Sequence, residues 1–89
     1  FKPIAGVRLA GLLLDQKKYD EATKAIDTGN IGPVSGEMAA NVADRRGDIL
    51  AAQGKASDAK AAWEEALKLL PRHSQLRSLV QYKLDAVTD

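Results

Sequence analysis

The stretch GDILAAQGKASDAKAAWEEALKLLP, running from Gly47 to Pro71, decides how this chain folds. Beyond Gly54, the residues Ala59, Ala62, Trp63, Ala66, Leu67 and Leu70 recur three and four apart, while Lys60, Glu64, Glu65 and Lys68 take the opposite side. That spacing draws one apolar helix face. Before Gly54, Ala39, Val42, Ala43, Arg46, Ile49 and Leu50 draw another. The stretch therefore reads as two helices joined at Gly54. Working outward, the N-terminal half repeats it at a shift of about 37 positions: Leu13 falls on Leu50, Gln16 on Gln53, Lys18 on Lys55, Ala22 on Ala59 and Ile26 on Trp63. Repeats of this length are the mark of stacked helical hairpins, an architecture that binds other proteins and rarely does chemistry.

Composition narrows the function further. Eighty-nine residues make one small domain. The apolar fraction is 45%, much of it alanine, and the aromatics are Phe1, Tyr19, Trp63 and Tyr82. The core must therefore come from close helix contacts. Such a chain buries only roughly 60% of its unfolded surface, so neighbours or oligomerisation would help it. A net charge of +1, with acids and bases interspersed, gives no basic stripe for nucleic acid or anionic lipid. The absence of cysteine removes disulfides, thiol catalysis and zinc–thiolate sites. No window has about 20 apolar residues, and no signal peptide is visible. Starting at Phe1 rather than at a methionine, the chain reads as a fragment of a longer protein.

The pattern predicts an all-α chain of two hairpins, over 4–29 and 36–70, with a closing helix over 73–87. Residues 4–17 carry Ile4, Val7, Leu9, Ala10, Leu12, Leu13 and Leu14, more apolar surface than one face requires, so this helix expects cover on several sides. Lys17-Lys18 closes it at the negative end of the dipole. Residues 19–29 carry Tyr19, Ala22, Ala25 and Ile26 at helical spacing, and Gly29 reads as a stop. Asn30 to Gly36 is a connector holding Gly32 and Pro33, with Ser35 as the next N-cap. The closing segment places Leu76, Leu79, Val80, Lys83, Leu84 and Val87 three or four apart.

These residues resemble a tetratricopeptide repeat. The second half has the small residue Gly47, the glycine Gly54 between helices, Ala59, the aromatic Trp63, Ala66 and the closing Pro71, all at the repeat spacing. In the first half Ala10, Leu13, Tyr19 and Ala22 fit, while Lys17 replaces the turn glycine and Ile26 the aromatic. Physically, alanines and Gly47 let two backbones cross closely, Gly54 permits the tight turn, and Trp63 with Leu50 is expected between successive hairpins. A narrower likeness covers most of the chain. The stretches 7–14, 17–22, 44–55 and 81–85 resemble the C-terminal region of YfgM-like proteins. That resemblance implies an ancillary subunit of the SecYEG translocon. It further implies an anchored bacterial protein with its repeat domain on the periplasmic face of the inner membrane, associated with a periplasmic prolyl-isomerase-like chaperone.

Carried over by the repeat register, the groove-facing positions are Ile4, Val7, Gly11 and Leu14 in the first hairpin and Asn41, Asp44 and Asp48 in the second. Half apolar and half acidic, they suit an extended peptide or a partner helix with basic flanks. Alternatively, Asp44 and Asp48 simply solvate their helix. Arg46 stands where the repeat prefers a large apolar residue. Its guanidinium is expected to reach Asp20 or Glu21, because a buried unpaired charge is costly. Arg46-Gly47-Asp48 spells an adhesion tripeptide, but inside a helix its side chains splay apart. His73, the single histidine, has neither metal-ligand company nor a nucleophile to serve, and Asp44 with Asp48 lacks the further oxygens a cation needs. Trp63 reads as core. The bare apolar surface of residues 9–14 predicts self-association through the N-terminal hairpin.

No nucleophile, base and orienting group recur together, so the chain reads as no enzyme, with no cofactor and no metal. A helical nucleic-acid binder would need a basic stripe, which is absent. What remains is a protein-interaction module of the bacterial cell envelope or, alternatively, a generic tetratricopeptide scaffold serving another partner in another compartment.

Overall fold

The computed structural model describes residues 2–88. Six helices follow one another: α1 (Lys2–Asp15), α2 (Tyr19–Ala25), α3 (Thr28–Ile31), α4 (Gly36–Ala52), α5 (Ala56–Leu69) and α6 (Leu76–Thr88). There is no strand among the described residues. α1 pairs with α2, α4 with α5, and α6 lies mainly against α5.

The repeat holds down to single hydrogen bonds. In the first hairpin the Lys17 N–H donates to the Leu14 carbonyl at 2.9 Å and the Lys18 N–H to the Leu13 carbonyl at 2.8 Å. In the second, the Gly54 N–H donates to Ala51 at 3.0 Å and the Lys55 N–H to Leu50 at 2.9 Å. Both turns need a left-handed residue after the helix. Gly54 supplies it with φ 80°, and Lys17 with φ 61°. Lys17 is the one non-glycine with positive φ among the described residues. α1 thus ends at Asp15, and Lys17 serves the turn rather than the last turn of the helix.

Two boundaries in particular differ from the sequence pattern. The second helix stops at Ala25, not at Gly29, and the chain re-forms one helical turn as α3. Asp27 is extended (φ −68°, ψ 140°). This break turns Ile31 back onto α1, where it is buried. It packs beside Gly6, at which an added Cβ would lie 2.7 Å from the Ile31 Cγ2. Gly32, at φ 79°, is the residue that ends the segment. Ser35 does occupy the N-cap of α4, with extended backbone, but its side chain makes no capping bond. α6 starts at Leu76 rather than 73, because Pro71 to Ser74 closes a turn (Ser74 N–H to Pro71 carbonyl, 3.0 Å) and the Ser74 hydroxyl accepts the Leu76 N–H at 3.2 Å. Leu79, expected inside, is exposed.

Two apolar clusters form the core. One joins Ala10, Ala22, Ile26 and Ile31 to Val42 and Ile49 of α4. The other joins Ala40 and Ala43 of α4 to Ala59, Trp63, Ala66, Leu70, Val80 and Leu84. α4 is the element that contributes buried residues to both. Trp63 closes first against its own hairpin: its indole covers Gly47, where no Cβ could fit, and its Nε1–H donates to the Asp44 carbonyl at 3.1 Å. It also shares its cluster with α6, which here takes the place of a following hairpin.

Candidate protein-binding face

The expected groove residues stand on two helices at matching positions. On α1, Ile4 is exposed, whereas Val7, Gly11 and Leu14 are half-buried; on α4, Asn41, Asp44 and Asp48 are half-buried. Each takes its place from helical spacing. Most of them already have work inside the chain. Val7 and Leu14 pack against the first core cluster. The Arg45 guanidinium lies over Gly11, where a Cβ would meet it at 3.2 Å. Asp44 and Asp48 are drawn together by Lys83 of α6, whose Nζ lies 3.1 Å from the Asp44 Oδ1 and 2.9 Å from the Asp48 Oδ1. The pair therefore does more than solvate its helix: an ammonium from α6 bridges it.

Arg45 Nη1 also donates to the Asp48 Oδ2 at 3.3 Å. Asp48 accordingly faces two cations, both of which favour its charged form. Burial outweighs them and, with the neighbouring charge of Asp44, pushes its carboxyl above the ordinary 3.8. Among the described residues the buried Arg45 Nε has no hydrogen-bond partner.

Arg46 departs from its expected role. It makes no ion pair with Asp20 or Glu21 among the described residues; it lies half-buried beside Thr23, Lys24, Ile26 and Asp27. The working arginine is its neighbour Arg45, one step round the helix and facing α1. Arg46-Gly47-Asp48 lies within α4, with Gly47 buried. His73 is exposed between helices. No group of three or more metal-ligating side chains occurs among the described residues. No helix among the described residues is long and apolar enough to cross a membrane.

Besides Arg45, two further residues escaped sequence reading. Lys83 was visible as a lysine on an apolar stripe, a signal that its head group has somewhere to go. Arg77 donates from Nη1 to the carbonyls of Leu67 at 2.7 Å and Leu70 at 3.1 Å, and so closes the end of α5. Nothing in the local pattern reveals that reach.

Over 84 residues the chain is 40% identical to a Neisseria gonorrhoeae protein described as an ancillary SecYEG translocon subunit, covering 94% of this chain and 38% of the relative. It is 38% identical over 68 residues to an Escherichia coli protein of the same description, covering 75% of this chain and 31% of that relative. The chain thus spans about a third of the length of these curated relatives. No solved structure gives a significant match. The tetratricopeptide repeat-like domain model matches residues 1–89. With paired helices, a left-handed residue closing each hairpin turn and a tryptophan seated on a glycine, the chain belongs to the tetratricopeptide repeat-like domain family.

Proposed function

We propose that the chain is a non-catalytic docking domain that works beside the SecYEG translocon, on the periplasmic face of the bacterial inner membrane, and connects it to a periplasmic prolyl-isomerase-like chaperone. The observation that carries this reading is the 40% identity over 94% of the chain to a relative described as an ancillary SecYEG translocon subunit. The fold agrees with a protein-interaction role, because repeat hairpins offer extended surfaces rather than a reaction site.

The contact face in this proposal is Ile4, Val7, Gly11 and Leu14 of α1 continued by Asn41, Asp44 and Asp48 of α4. Ile4 is exposed, and the half-buried Asn41 side chain has no hydrogen-bond partner among the described residues, so both offer contact points at the same place in each hairpin. The acidic pair holds a lysine of its own chain, which illustrates the ligand chemistry the face favours: a basic side chain beside apolar ones. Nucleic acid and membrane insertion have no part in the proposal, nor does a cofactor.

A photo-crosslinking residue placed at Ile4 or Asn41 in the protein expressed in its bacterial envelope tests it. Adducts with translocon subunits are expected, and an adduct with a periplasmic chaperone supports the finer link. Adducts confined to unrelated proteins would overturn the translocon assignment in favour of a generic scaffold.

A further inference from the structure

We propose that Arg46 anchors a carboxylate-binding site at the joint between the two hairpins, where it takes an acidic side chain of a partner protein. Four cationic side chains are half-buried among the described residues: Arg45, Arg46, Arg77 and Lys83. Three of them have acceptors within the chain. Arg45 holds Asp48, Lys83 holds Asp44 and Asp48, and Arg77 holds the carbonyls of Leu67 and Leu70. Arg46 has no hydrogen bond or ion pair among the described residues. Partial burial of a charge costs free energy that an internal partner normally returns. One repeat earlier the equivalent position holds the apolar Leu9, so the fold itself does not call for a cation here.

Arg46 lines a cavity of about 170 Å³ together with Thr23, Lys24, Ile26 and Asp27. That volume lies below the roughly 300 Å³ at which small-molecule pockets begin, and it takes a single side chain. The walls come from α2, the break that follows it and α4, so the two hairpins of this chain complete the site between them. Its donors are few. Thr23 spends its hydroxyl proton on the Tyr19 carbonyl at 3.0 Å, which leaves the Arg46 guanidinium and the Lys24 ammonium. Asp27, the acid in the wall, lies toward α3, with its Oδ2 3.4 Å from where a Cβ of Gly29 would stand. Two cations against one carboxylate leave one positive charge, which selects a monoanion over a phosphate dianion. The planar guanidinium fork matches a carboxylate through two parallel hydrogen bonds. The buried Ile26 beside it keeps water from part of that pair, which strengthens the attraction. Helical spacing puts Arg46 on the far side of α4 from Asp44 and Asp48. The domain thus offers a contact of opposite sign on its other side.

This site rests on the reading of the chain as a protein-docking domain, but not on which partner docks. It is tested by titrating the isotopically labelled chain, at constant ionic strength, with a capped peptide that carries one glutamate. The backbone amide signals of Thr23 and Lys24, present in every variant used, report binding by NMR. They should move saturably, and the same peptide with glutamine in that place should leave them still. Arg46→Leu should weaken binding by at least about tenfold while stability stays level or rises, because an apolar residue suits the position. Arg46→Lys should weaken it less, keeping the charge and losing the fork. Asp27→Asn should tighten it by removing a competing charge. Signals that do not move, or that move equally with the glutamine peptide or in Arg46→Leu, overturn the site. So does a preference for inorganic phosphate, or for a peptide whose only carboxylate is its C-terminus. A double-mutant cycle in which Arg46 and Asp27 couple in stability would also overturn it, by showing the arginine spent inside the chain. Crosslinks from Ile4 and Asn41 are independent of all these outcomes, so the translocon reading stands or falls separately.

Discussion

Lys17 carries a strain that its counterpart Gly54 does not. Both close the same turn, yet a side chain in the left-handed region costs roughly 1 kcal/mol or more. Lys17→Gly should therefore raise stability by about 1 kcal/mol in denaturant unfolding, while Gly54→Ala should lower it by a similar amount. Asp48 presents the opposite kind of cost, electrostatic rather than steric. Its folded pKa is raised by burial. In the window between the ordinary 3.8 and that raised value, the folded chain binds more protons than the unfolded one. The contribution of Asp48 to stability is then full below 3.8 and lost as pH rises through the folded value. The stability of the parent chain relative to Asp48→Asn should thus grow as pH falls through that window, which thermal melts at stepped pH would reveal. A gap that shrinks on acidification would mean that the two cations, and not burial, govern this carboxylate.

Between elements, the junction of α5 and α6 depends on Arg77. It places a cation at the negative end of α5 and satisfies two carbonyls that the helix leaves open. Arg77→Ala should cost about 2 kcal/mol, by analogy with other hydrogen bonds to charged groups, and should loosen α6 first. A loss below a few tenths would show that water replaces it. The sequence made the hairpins legible because Ala59, Trp63, Ala66 and Leu70 repeat with helical period, and because Leu13 and Leu50 repeat with hairpin period. It did not reveal the break at Ile26, where a run of residues suited to helix yields to the burial of Ile31 against Gly6. Nor did it reveal which arginine works. Arg45 and Arg46 differ by one step around α4, and only the direction of α1 decides between them. The candidate binding face was legible as positions but not as contacts. Periodicity says that Asp44 and Asp48 share a side, and it cannot say that Lys83, from 35 residues further on, lies between them.

For the molecule as a whole, repeat architecture makes stability a sum of hairpins and the interfaces between neighbours. This chain has two clusters and one helix common to them, since Val42 and Ile49 of α4 face the first hairpin while Ala40 and Ala43 face the second. Opening either cluster alone leaves α4 held by the other. Its amides should consequently exchange with solvent only when both clusters open together, at the free energy of global unfolding, whereas α2 and α6 exchange through cheaper partial openings. Native-state hydrogen exchange should therefore rank α4 slowest. Mild denaturant should leave a partly open species in which α4 and one partner hairpin persist. The helix that carries Asp44 and Asp48 would then be the last part of the proposed binding face to lose its shape.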